Sequence, residues 1–281
     1  VRKARLAAIL SVLMAACLTY ISWRRRPPLQ VASHAKLVLK PVSRAKLVVV
    51  VDNNPHGGLR AAWGLSIYVE AGHARLLFDA GPDPQVLREN MKLLGISAEA
   101  LDFIVISHEH GDHVGGLPAI AEVNPGLTVY VPRGTSSSTG EWIRSLGFKV
   151  VEVGGPTTIC DGIAVTGPLY GPPYEQALII HVEDLGLIVV TGCSHPGIER
   201  VLEYVHNITG LPIYAVIGGF HLVGASEARL ADVANTLKRL EVKEVYPIHC
   251  SGEEARKYLS EALGPAYRGG HVGTTLELGA P

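Results

Sequence analysis

Apolar residues recur along this chain in two rhythms. Short runs rich in Val, Ile and Leu occupy 46–52, 65–70, 74–78, 101–106, 127–131, 149–153, 163–166, 177–182, 187–190, 213–217, 242–248 and 271–278. Runs of this length and composition predict strands. Helical spacing appears between them, with Val86, Leu87, Met91 and Leu94 on one face of 83–94 and Leu230, Val233, Leu237 and Leu240 on one face of 227–240. Further helices are predicted at 117–123, 140–146, 198–208 and 253–263. Strand and helix alternate in both halves, which predicts an α/β protein built as a four-layer alpha-beta-beta-alpha sandwich.

Ahead of that alternation stands a different pattern. Residues 6–23 are almost wholly apolar, flanked by Arg2, Lys3 and Arg5 and by Arg24, Arg25 and Arg26. Eighteen residues as a helix reach about 27 Å, close to the roughly 30 Å of bilayer hydrocarbon. Residues 1–26 are therefore expected to be a membrane anchor or targeting segment, and the protein membrane-associated. Anchoring is preferred to a cleaved lipoprotein signal because the apolar run continues past Cys17. A basic linker is expected over 27–45, and the folded domain over 46–281.

Composition narrows the function. The net charge of −1 and 18% charged residues offer no cationic surface for a nucleic-acid backbone, so no nucleic-acid partner is expected. Four cysteines stand at 17, 160, 193 and 250, and their spacing is not that of a disulfide framework. Cys160 reads as a small core residue, whereas Cys193 and Cys250 each lie beside a histidine.

The densest chemistry follows the run 101–106: Ser107-His108-Glu109-His110-Gly111-Asp112-His113. Three imidazoles and a carboxylate between a strand and a helix are a donor set for zinc, manganese or iron, and their density suggests two ions. Gly111 eases the reversal of the chain, and Gly115-Gly116 lets the next helix begin close beneath. His195, His221 and His249 also follow predicted strands.

These residues carry a family resemblance. The His-x-His-x-Asp-His pattern is the signature of the metallo-beta-lactamase superfamily. Asp52-Asn53, Gly64-Leu65-Ser66, Leu77-Phe78-Asp79-Ala80-Gly81, Thr191 to Gly197, Gly218-Gly219-Phe220-His221-Leu222 and Pro247-Ile248-His249-Cys250 resemble its branch of 7,8-dihydropterin-6-methyl-4-(beta-D-ribofuranosyl)-aminobenzene-5'-phosphate synthase-like hydrolases. The resemblance implies a sandwich of that type with two divalent ions, zinc first and manganese or iron also accommodated. It implies His108, His110 and His195 on one ion and Asp112, His113 and His249 on the other. It puts Cys193 where many relatives have a bridging aspartate, and Asp79 beneath the ligand loop.

The expected function is a metal-dependent hydrolase in which a hydroxide held by the ion pair attacks a small phosphoester, lactone or amide. Asp112 and His221 are the candidate catalytic residues, His221 in a substrate or proton-transfer role. Glu109 is expected to orient a histidine or the loop, and Tyr170 and Tyr174 to line the site. Two alternatives stand beside this reading. One is the synthase-like transfer the branch name implies, with a phosphorylated or pterin-like substrate. The other is a nonhydrolytic metal-binding redox sensor using Cys193 and Cys250.

Overall fold

The computed structural model describes residues 36–280. Strands β1 (Arg44–Val51), β2 (Ser66–Ala71), β3 (Ala74–Phe78), β4 (Phe103–Val105), β5 (Thr128–Pro132) and β6 (Lys149–Val153) join the last strand, β15 (Thr275–Gly279), in a seven-stranded sheet ordered β15-β1-β2-β3-β4-β5-β6. The second sheet has six strands ordered β14-β13-β12-β11-β8-β7. These are β7 (Thr157–Cys160), β8 (Ile163–Val165), β11 (Leu178–Val182), β12 (Gly186–Thr191), β13 (Ile213–Gly219) and β14 (Glu244–Ile248). A two-stranded ribbon, β9 (Leu169–Tyr170) and β10 (Tyr174–Glu175), stands apart from both.

The period-two alternation of strand side chains creates the layers. Leu47, Val49, Ile67, Leu76, Phe78 and Val105 of the first sheet share one apolar core with Val165, Leu178, Ile180, Ile188, Val190 and Ile217 of the second. The intervening residues Val48, Val50, Leu77 and Ile104 face the other way, against helices α1 (Pro84–Leu93), α2 (Gly111–Val114), α3 (Leu117–Ala121) and α4 (Ser137–Ser145). In the second sheet, Val189, Val216 and Val245 are buried outside the inter-sheet core. Helices α5 (Ile198–Thr209), α6 (Glu227–Arg239) and α7 (Glu253–Leu263) bring buried Val201, Val205, Val233, Leu237 and Leu259. The result is the expected four-layer sandwich, and Met91 is core as its spacing implied.

Two expectations are revised. Around the single strand predicted at 163–166 the chain also forms β7 and the β9–β10 ribbon. The expectation of a membrane-anchored protein is corrected: among the described residues no helix is long and apolar enough to cross a membrane. The longest, α6, has 13 residues, or about 20 Å against the roughly 30 Å required. Residues 1–26, on which the anchor was placed, lie outside the described residues. Leu37 and Val42, assigned by sequence to the connector, hydrogen-bond through their amides to the carbonyls of Ile208 and His181.

Strand direction positions the site. β3, β4, β5 and β6 run parallel, as do β12, β13 and β14. Each sheet therefore gathers the residues following its parallel strands at one edge, where open α/β sheets characteristically bind ligands.

Candidate metal centre

Every histidine of the pattern leaves a strand's carboxyl end, and buried acceptors turn the rings. Asp79, fully buried after β3, accepts from Ser107 N (2.7 Å) and Ser107 Oγ (2.6 Å), and from His113 Nδ1 (2.7 Å). The Ser107 hydroxyl, spent as a donor to Asp79, accepts in turn from His108 Nδ1 at 2.9 Å. Glu175 on β10 accepts from His195 Nδ1 at 2.9 Å, and Asn53 Oδ1 accepts from His249 Nδ1 at 3.1 Å. In all four rings Nδ1 carries the proton, so Nε2 is left with a bare lone pair. That arrangement is how proteins present imidazole to a metal.

The bare nitrogens converge. His108, His110 and His195 form one group whose ligand atoms lie within 4.8 Å of one another, and Asp112, His113 and His249 form a second. The His108 Nε2 to His110 Nδ1 separation is 3.0 Å. His249 Nε2 is buried with no hydrogen-bond partner, 3.4 Å from the Asp112 carboxylate in an alignment too poor to bond it. An unpaired nitrogen beside an acceptor it does not engage fits a cation between them, as does the nitrogen-and-carboxylate donor set. The described residues thus hold a place for a pair of metal ions.

Electrostatics agree with ligation. Burial holds His108 well below the usual imidazole range, so it stays neutral. Burial would raise Glu175, but its bond to His195 and the neighbouring imidazoles outweigh this, and the carboxyl is held below its usual range. For His113, burial opposes protonation while the Asp79 carboxylate favours it more strongly, so its pKa is raised in the metal-free protein. Backbone strain collects here too: Asp79, Ser194, His221 and His249 have φ of 57°, 61°, 51° and 51°. Non-glycine residues adopt that region at a cost of about 1–3 kcal/mol each, a pattern typical of functional sites.

The other residues singled out by sequence divide. Cys193 joins the centre, its Sγ 3.3 Å from His113 Nε2. His221 lies beyond it, exposed, with its ring centroid 4.6 Å from that of His195. Glu109 does not orient a histidine. Its carboxylate instead accepts from Ser136 N at 2.9 Å and Thr139 Oγ1 at 3.1 Å, and Ser136 caps α4. Tyr170 and Tyr174 stand exposed on the ribbon, whose Gly171 abuts the His195–Pro196 backbone.

Sequence reasoning gave no role to two contributors, and the structure specifies that of a third. Trp63 is 57% exposed, its ring tilted over His249 at 5.3 Å. Asp52 accepts from His249 N at 2.7 Å. Glu175 accepts from three successive amides, Cys193 N, Ser194 N and His195 N. An acid just before a strand carried no local signal for that role. Trp63 could have been noticed as a large aromatic in a glycine-rich loop.

A helix-flanked pair of sheets with two adjoining histidine-rich metal positions at one edge defines a metal-dependent enzyme of sandwich architecture. The chain belongs to the metallo-beta-lactamase superfamily. The sequence profile described as the Beta-lactamase superfamily domain matches residues 74–167. The chain is 30% identical over 262 residues to 7,8-dihydropterin-6-methyl-4-(beta-D-ribofuranosyl)-aminobenzene-5'-phosphate synthase of Methanocaldococcus jannaschii, covering 76% of this chain and 89% of that protein. It is 31% identical over 259 residues to an uncharacterized protein of the same organism, covering 81% and 98%. The fold is similar to the crystal structure of a metal-dependent hydrolase of the beta-lactamase superfamily, with a TM-score of 0.72, 24% identity, and coverage of 84% of this chain and all of the other.

Proposed function

We propose that the protein is a metal-dependent hydrolase acting on a small phosphoester, lactone or amide through a pair of divalent ions. The observation that carries this reading is the set of four imidazoles with Nδ1 anchored and Nε2 bare, converging on two adjacent positions. His108, His110 and His195 would hold one ion, and Asp112, His113 and His249 the other. Cys193 groups with His108 of the first set and His113 of the second. Mixed imidazole, carboxylate and thiol donors suit zinc first, with manganese or iron also accommodated. When bound, such a pair supplies acidity to a water and positive charge to the oxygen that becomes negative as the substrate is attacked.

The chain's own residues do the rest. Asp79, Ser107, Glu175 and Asn53 keep the four imidazoles aimed. Asp112, the more exposed acid with its side chain 22% accessible, lies 3.4 Å from His249 Nε2 and 3.6 Å from His113 Nε2, where it would orient the attacking water. His221 borders the mouth on the His195 side, and Trp63, Tyr170 and Tyr174 give that mouth an apolar rim for the body of the substrate. The M. jannaschii relative's name supports a substrate with a flat ring and a phosphate.

The test is metal content and turnover together. Protein purified without oxygen should carry at least two ions per chain and hydrolyse members of a phosphoester and lactone panel. Chelation should abolish turnover, zinc should restore it, and Asp112→Asn should lower kcat at unchanged fold. One ion per chain, or turnover that survives chelation, would overturn the reading.

A further inference from the structure

Three consecutive parallel strands of the second sheet, β14, β13 and β12, each end beside a soft or borderline metal donor. Cys250 follows β14, His221 follows β13 and Cys193 follows β12. Because the strands are adjacent and in parallel register, the three side chains meet: Cys193 Sγ, Cys250 Sγ and a His221 ring nitrogen all lie within 4.8 Å of one another. Both cysteines are free thiols, and each is only 5% exposed, while His221 opens to solvent.

The local backbone is shaped for this meeting. A Cβ on Gly219 would lie 2.7 Å from Cys250 Sγ and 2.4 Å from the Gly192 carbonyl oxygen, so only glycine lets the sulfur approach from β14. Ser251 Oγ accepts from Phe220 N at 3.1 Å, and the Cys250 carbonyl accepts from Leu222 N at 3.2 Å. These bonds tie the loop carrying Cys250 to the loop carrying His221. Ligands on loops knitted to each other and to sheet ends are held in place before any ion arrives.

We propose that Cys193, His221 and Cys250 bind one thiophilic ion, Zn(II) or Cu(I), as a third metal position beside the histidine–aspartate pair. Zinc bonds sulfur at about 2.3 Å and imidazole nitrogen at about 2.0–2.1 Å, which sets tetrahedral ligand atoms roughly 3.4–3.8 Å apart. The observed cluster accommodates that spacing. Two thiolates and one imidazole select soft ions over the hard ions an all-oxygen site prefers, and the exposed His221 side leaves a fourth position for water or a ligand. Cys193 also groups with His108 and His113, so its thiolate would bridge the third ion to the pair. Cys250 and His221 belong to the third position alone, which makes them the residues to test.

The experiment is an anaerobic titration of the metal-stripped full chain with Cd(II), read by thiolate-to-cadmium absorption in the near ultraviolet and by metal mass per chain. Wild type should take up three equivalents. Cys250→Ser should take up two and lose at least half of the absorption, since one of two thiolates is gone and the other keeps only its bond to the pair. His221→Gln keeps both thiols, and it should weaken the third equivalent at least tenfold or so while leaving the first two in place. Because His221 is exposed, its replacement leaves the core intact and decides the matter even if Cys250→Ser fails to fold. Uptake of only two equivalents by wild type would overturn the proposal. So would absorption unchanged in Cys250→Ser, which would mean that Cys193 alone bridges. A Cys193–Cys250 disulfide in protein prepared without oxygen would overturn it too. None of these results bears on whether the first two ions support hydrolysis.

Discussion

Replacing Glu175 with glutamine tests the idea that one buried carboxylate holds the His195 ligand turn. Its Oε1 accepts from Cys193 N (2.9 Å) and Ser194 N (2.8 Å), and its Oε2 from His195 N (2.8 Å) and His195 Nδ1 (2.9 Å), at 3% exposure. Glutamine has one acceptor oxygen. With that oxygen facing Cys193 and Ser194, its amide NH2 faces two His195 donors. Two charge-assisted bonds at about 1.5–2 kcal/mol each disappear, a loss of about 3–4 kcal/mol. For a domain of this size a loss on that scale lowers Tm by on the order of 10 °C. His195 can relieve the conflict only by moving its proton to Nε2, the nitrogen the metal needs, so metal affinity should fall about 10–100-fold.

The pH dependence has a definite sign. The folded carboxyl lies below its ordinary value of 4.5, so its stabilisation is complete above that value and fades as pH falls toward the folded one. The gap in Tm between wild type and Glu175→Gln, measured by scanning calorimetry on metal-free protein, should therefore be widest near neutrality and narrow in acid. A shift below about 2 °C, with zinc affinity unchanged, would refute the reasoning.

Three further outcomes follow from the same contacts. Gly116→Ala places a Cβ 2.0 Å from the Ala80 carbonyl oxygen, a backbone atom that cannot yield, and should cost about 3 kcal/mol or more in a denaturant titration. Fully buried Asn90 donates to the Val50 and Arg60 carbonyls, both at 2.8 Å, and accepts from Arg60 N at 2.9 Å. Asn90→Ala should cost about 2–4 kcal/mol by leaving those groups unpaired, and should loosen the loop that carries Trp63, measurable as faster amide exchange there. Trp63→Ala, at an exposed site, should leave stability within about 0.5 kcal/mol yet raise KM roughly tenfold for aromatic substrates and not for small aliphatic ones with the same scissile bond. Equal effects on both substrates would remove Trp63 from the substrate rim.

Much of this protein follows from local sequence. The two apolar rhythms determine which segments are strands and which are helices, since burial on one or both faces demands a period of two or near 3.6. The run from His108 to His113 announces a metal site because its donors share one turn, and Gly115 and Gly116 foretell a close approach, realised 2.2 Å and 2.0 Å from the carbonyls of Pro82 and Ala80 for a hypothetical Cβ. The partners of that turn were legible only through family likeness. His195 and His249 follow strands far away in the chain, and nothing in their neighbours says which strand ends lie together.

Only the tertiary structure decided those adjacencies. The sheet order β14-β13-β12 sets Cys250, His221 and Cys193 side by side, and the packing of two sheets brings Asp79 and Glu175 beneath different histidines. Trp63, on the loop between β1 and β2, reaches His249 through the chain's tertiary folding alone. Glu109 shows the converse: it lies among the donors in sequence, yet bonds Ser136 and Thr139 because alternate residues of an extended turn point in opposite directions. Periodicity and short-range spacing are properties of a single segment. Which buried acceptor fixes which imidazole depends on strand order and sheet packing, and these are settled by the summed burial of the whole core.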